Sequence, residues 1–261
     1  SLTDPASGVY SIFAGNSTYG DFLLSDGTTP GSISIRGTYP NVPSSEVLNY
    51  NNGQNSGVNF AGGTVEAATE GWNFVYNPFT FTINAENLVS GVSGLNNAIY
   101  AWDGSVYATY INGVVVNSSS QYLAPGQGFW VQTNSSQGAT VNGDKQLLRA
   151  EGQNAGRFKS DANASDGLRI ALVDSINNFS DDIWLGFNES ATQGFDGNFD
   201  AWKLNSNTPG PQIAFPLGDG SELAISIIHP DSTQVVPLLL KGNYISGETL
   251  SLSFDLRNLN S

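Results

Sequence analysis

The side chains best suited to chemistry in this sequence are aromatic rather than ionisable. Trp102, Tyr107 and Tyr110 cluster around Asp103-Gly104, and flat indole or phenol faces beside a turn can stack on sugar rings or grip a partner's apolar side chains. These three are the candidate ligand-binding residues. Burial competes with that reading. Successive side chains on a strand point to opposite faces, so about half of such aromatics turn inward as core. Trp72 beside Gly71, and Trp130 between Phe129 and Val131, fit the core role.

The next candidate chemistry is cation binding. Asp196, Asn198 and Asp200 alternate along the chain as the first ligands of a calcium loop do, and calcium takes six to eight oxygens. Ala201 stands where an EF-hand needs glycine, and Asn207 where it needs a bidentate glutamate. That motif is therefore excluded. Two readings remain open: a calcium site of another kind on Asp196, Asn198 and Asp200, or an acidic turn whose Asp and Asn side chains bond nearby amides. No other cofactor is expected.

Classical hydrolytic chemistry finds little support. His229 is the sole histidine and there is no cysteine, so a usual zinc site lacks its ligands. No Gly-x-Ser-x-Gly elbow accompanies His229, as a serine nucleophile on a strand-to-helix turn requires. Nothing marks a pair of carboxylates for glycoside hydrolysis. The expectation is a non-catalytic protein.

Composition narrows the partners. With 23 acidic against 9 basic residues the net charge is −14, which repels nucleic-acid backbones and anionic lipid. No apolar run approaches the ~20 residues of a membrane span, so no transmembrane segment is expected. The first residues lack a charged and apolar signal peptide, and the chain reads as mature or trimmed.

Positioning these residues requires strands. Thirty glycines and 12% charged residues suit an all-β chain with many turns rather than a helical bundle. Asp103-Gly104 and Asn112-Gly113 fall between runs of aromatic and β-branched residues, which predicts hairpins with primed turns. Alternation predicts early strands over 9–13 and 32–36 and later ones near 139–141, 168–173, 182–187, 212–217, 223–228, 235–240 and 249–256. A single helical turn fits 85–90. Residues 151–166 lose periodicity and become small and polar, so the expected organisation is two antiparallel β-sandwich domains, jelly-roll or Ig-like, over 1–150 and 167–261.

Three blocks carry a family resemblance: Gly71-Trp72-Asn73 with Asn77-Pro78, Ala98-Ile99-Tyr100 with Trp102-Asp103-Gly104, and Pro125-Gly126-Gln127-Gly128-Phe129. A fourth runs from Phe195-Asp196 to Asp200-Ala201-Trp202-Lys203. Together they resemble the β-rich region that precedes the C-terminal sorting signal in secreted and cell-surface proteins of the Bacteroidota. The resemblance implies export by type IX secretion, an extracellular or cell-surface location, and adhesion, display or assembly as the role. Partners would then be other surface proteins, polysaccharide or copies of the chain itself. A carbohydrate-binding accessory module of a polysaccharide-degrading enzyme is the alternative. The resemblance also implies O-glycans at Asp-Ser/Thr followed by an aliphatic residue or Thr, which points to Ser175 and Ser232.

Overall fold

The structure is a computed structural model and describes residues 45–50, 66–77, 79–117, 120–150, 166–192, 194–205, 210–230, 235–242 and 249–257. The strands expected over 9–13 and 32–36, and the stretch 151–165, lie outside these residues. The described chain is mostly β. In its first half β1 (Ser45–Leu48), α1 (Glu66–Thr69), β2 (Trp72–Tyr76), β3 (Ile83–Asn84), α2 (Glu86–Val89), β4 (Ile99–Trp102) and β5 (Tyr107–Ile111) are followed by β6 (Val114–Val116), β7 (Tyr122–Leu123), β8 (Gly128–Gln132), β9 (Ala139–Asn142) and α3 (Lys145–Leu148). Then come β10 (Gly167–Asp174), β11 (Phe179–Phe187), β12 (Ala201–Trp202), β13 (Gln212–Pro216), β14 (Glu222–Ile228), β15 (Leu239–Lys241) and β16 (Leu250–Arg257).

Two sheets dominate. The first is antiparallel, in the order β2-β8-β4-β5-β6, with two-stranded ladders β1-β9 and β3-β7 beside it. The second runs β15-β13-β14-β11-β10-β16, with β12 also on β14, and curls as a mixed half-barrel. Its β11 and β14 pair in parallel, unlike the all-antiparallel sheets expected. Parallel neighbours need a crossover, and residues 188–221 supply it with β12 and β13 on the way.

The two glycine turns differ. Asn112 (φ 47°) and Gly113 (φ 85°) both take the left-handed conformation that a primed two-residue turn demands, and β5 turns directly into β6. Asp103-Gly104 instead belongs to a four-residue connection, because Trp102 pairs with Tyr107 and residues 103–106 lie between them. The cause is local. Asp103 Oδ1 accepts the Ser105 N–H (2.7 Å), the Ser105 hydroxyl (3.0 Å) and the Val106 N–H (2.8 Å), so the side chain organises a wider turn. The strand expected over 235–240 shrinks to β15, since Pro237 has no N–H to give a ladder.

Among the described residues no sheet crosses from one half to the other, yet the buried core does. Trp72, Tyr100, Ile111, Val114 and Val116 of the first half pack in one cluster with Ile170, Trp184, Trp202 and Ile225 of the second. The opposite face of the first sheet has its own core, built on Val75, Ile99, Tyr110 and Phe129.

Polar bonds tie the same seam. The Trp202 N–H donates to the Tyr100 hydroxyl (3.0 Å) and its indole N–H to Gln132 (2.9 Å). Asn117, in the left-handed conformation at φ 54°, donates its backbone N–H to Asp182 and its side-chain amide to Asp181 (2.8 Å), while its Oδ1 accepts the Asp182 N–H (2.9 Å).

Candidate functional site

Residues directly opposite in an antiparallel pair share a face. Phe74 lies opposite Trp130, Trp130 opposite Tyr100, and Trp102 opposite Tyr107. With Tyr100 and Trp102 two residues apart on one strand, all five rings share one face of the first sheet. At one end of that face the second sheet covers Tyr100 together with Trp72, whose rings meet edge-on at 5.2 Å. At the other end cover thins, with Tyr107 and Trp130 packed against the rim of the core. Trp102 is 45% exposed, and Phe74, Tyr107 and Trp130 are half-buried.

Ring-on-ring packing braces this surface. Phe74 and Trp130 lie 5.0 Å apart at 66°, and Trp102 and Tyr107 5.0 Å apart at 60°. The Phe74 ring lies over Gly128, where a Cβ would come within 2.2 Å of it. Glycine is thus required for close approach at that position. Burial pushes the Tyr107 phenol above its usual range, opposed by a hydrogen bond that its oxygen accepts from the Trp130 indole N–H. It stays neutral at physiological pH.

Beside the hairpin tip a cleft of about 170 Å³ opens between residues 103–106 and strands β10 and β11. Its walls include Asp103, Ser105, Asn117, Arg169 and Asn178. The acids at its base are structural. Asp181 is ion-paired to buried Lys203 and accepts the Ile213 N–H (2.9 Å), while Asp182 is paired to Arg169. Burial pushes the Asp182 carboxyl up, with Arg169 and the Asn117 N–H pulling it back.

No family model, curated protein or solved structure matches this chain.

Of the three aromatics singled out in the sequence, the fold brings Trp102 and Tyr107 together and separates Tyr110. Tyr110 is 1% exposed and packs in the opposite core, so its ring cannot meet a ligand. Burial pushes its phenol strongly up, with the nearby Glu86 adding to the effect. The face also contains Phe74 and Trp130. Their only sequence signal was the alternation of aromatics along β2 and β8.

Asp196, Asn198 and Asp200 are brought together in one turn, with their bonding directed to backbone. Asp200 accepts the N–H groups of Asp196 and Ile227 (both 2.8 Å), and Asp196 Oδ1 accepts the Asn198 N–H (3.0 Å). The turn docks on the first half: the Gly197 carbonyl accepts the Asn97 N–H (2.9 Å), and the Asn198 carbonyl accepts from the Asn112 side chain. Among the described residues no three acids or histidines gather as metal ligands. The bonds of Asp196 to the Asn198 N–H and of Asp200 to the Asp196 N–H are those of an acidic turn, and Asp200 also reaches the remote Ile227 N–H.

Ser175 sits exposed in the turn between β10 and β11. The preceding Asp174 is fastened to the Ile176 and Asn177 N–H groups and the Asn177 side chain. Ser232 lies outside the described residues. His229 borders an apolar cleft of about 380 Å³, with Phe215, Leu217 and Ile227 among its walls.

Proposed function

We propose that this chain is a non-catalytic extracellular surface protein of the adhesin type, with sandwich-type β domains as its display scaffold. In keeping with the motif resemblance, it reaches the surface by type IX secretion. The observation that supports a binding role is the outer end of the aromatic face, where Trp102 stands out from Tyr107, Phe74 and Trp130 on a braced sheet. Aromatics with few rotatable bonds lose little entropy on contact and dominate binding energetics.

The same face favours the second reading, attachment to polysaccharide. Ring faces suit the C–H faces of pyranoses, and the hairpin tip presents Asp103 and Ser105 beside them as hydroxyl partners. A net charge of −14 favours neutral over acidic glycans.

Binding of the labelled protein to immobilised glycans and to surface-protein extracts tests both readings. Capture is expected to fall at least about tenfold for Trp102→Ala, the loss of ~1.4 kcal/mol that one stacked ring readily supplies. Binding unchanged by Trp102→Ala overturns the assignment of the site. Binding to surface proteins but to no glycan removes the polysaccharide reading alone.

A further inference from the structure

The second sheet ends on β16, and no strand of the described residues pairs with its outer edge. Leu250, Leu252, Phe254 and Leu256 of β16 lie opposite Asp174, Leu172, Ile170 and Leu168 of β10. They therefore share the face on which Ile170 and Leu172 are buried in the common core, and Leu250 packs against its rim. Further along β16 the cover is missing. Leu252, Phe254 and Leu256 are 41%, 59% and 66% exposed. An open edge carrying an apolar stripe is a template for one more strand, with main-chain bonds supplying affinity and side chains supplying register.

We propose that the added strand is β16 of a second copy, paired antiparallel about a two-fold axis perpendicular to the sheet. Edge length favours this partner. The sheet's other edge, β15, has three residues and follows Pro237, so head-to-tail growth gives only a short ladder. β16 offers eight residues to itself.

Charge and pattern rule out a pairing centred on Asp255 and allow one centred on Phe254, which is the register proposed. Centred on Phe254, the pairing sets Leu252 of one copy opposite Leu256 of the other. Ser253 then meets Asp255, and Ser251 meets Arg257. Both apolar stripes stay on one face, and no like charges face each other. Centring on Asp255 instead would set two carboxylates opposite each other.

The dimer is weak. One strand and three side chains from each copy fall short of the roughly 1,200 Å² of a standard interface. Two chains of charge −14 also repel until salt screens them.

Sedimentation of the full chain over a concentration series tests the proposal. A monomer–dimer equilibrium that strengthens with added salt is expected, and Phe254→Lys is expected to abolish the dimer while leaving the melting temperature near that of the parent. The chain has no cysteine, so single cysteines report the register. Phe254→Cys should oxidise to a linked dimer. Leu252→Cys should do so only when mixed with Leu256→Cys. A parent that stays monomeric at all concentrations, with no linking of Phe254→Cys, overturns the proposal. So does a Phe254→Lys variant that melts early from a monomeric parent, because the stripe is then covered within its own chain. Should Phe254→Lys fail to fold, the cysteine pattern decides alone.

Discussion

β6 and β16 are both terminal strands of large sheets and both carry an apolar face, yet one is sealed and the other is open. Val114 and Val116 of β6 are buried in the cluster shared with Ile183 and Ile225 of the second sheet. Leu252, Phe254 and Leu256 of β16 face solvent. What differs is the polar chemistry at the strand's end. β6 runs into Asn117, whose left-handed backbone and amide satisfy Asp181 and Asp182 on the facing sheet. β16 ends on an exposed Asp255–Arg257 pair that, among the described residues, bonds within its own strand. At β6 the covered apolar face and the matched polar groups of the seam occur together, and leaving such buried groups unpaired would cost about 1–3 kcal/mol each.

The largest blow to the sealed side comes from Lys203→Met. Lys203 and Asp181 are both buried and ion-paired beneath the Asn117 latch. Removing one partner leaves a lone buried carboxylate, a loss of about 3–5 kcal/mol. Urea unfolding followed by circular dichroism and by tryptophan fluorescence measures it. Coincident transitions at a lower midpoint are expected, because the core is shared between halves.

A second handle on the same seam is pH. Burial pushes the Asp200 carboxyl up to about 7 from an ordinary 3.8, outweighing the two N–H bonds that stabilise its charge. An acid whose pKa rises on folding takes up a proton between those two values. Its contribution therefore declines as pH climbs from about 4 to about 7 and is level above. Full expression of the shift is worth at most about 4 kcal/mol. Unfolding at pH 5 and pH 8 should show the parent more stable at pH 5 through this group, and Asp200→Asn should lose that part of the difference.

The smallest effect distinguishes the turn that launches β6. Gly113 holds φ 85° with open space around its Cβ position, so Gly113→Ala adds backbone strain without a clash. A loss of about 1–2 kcal/mol is expected from the left-handed conformation alone. An unchanged midpoint would mean that the turn relaxes and that β6 is held by its core contacts.

Much of the scaffold was written in local pattern. Alternation placed β10, β11, β13 and β14 to within a few residues, Asn112-Gly113 marked its hairpin, and residues 85–90 gave the helical turn now seen as α2, while the equally short α1 and α3 were not expected. These features need only a residue and its near neighbours. Period-two alternation decides which side chains share a face, and φ preference decides where the chain can reverse.

Which face is covered was beyond that reach. Tyr107 and Tyr110 both follow the Asp103-Gly104 turn, yet three positions apart on a strand puts them on opposite faces, one half-open and one sealed by Val75 and Phe129. The acid at 200 read as a calcium ligand or a turn residue, and it and the acids at 181 and 182 became structural only when Lys203, Asn117 and the Ile227 amide arrived from distant segments. The four-residue span of the Asp103 turn depended on one carboxylate oxygen accepting three hydrogens. Sequence determined the strands, their faces and the sharp reversals, because those are nearest-neighbour physics. Burial, charge pairing and the exposure of Trp102 and β16 were decided by the tertiary structure, because each depends on what a remote segment lays against it.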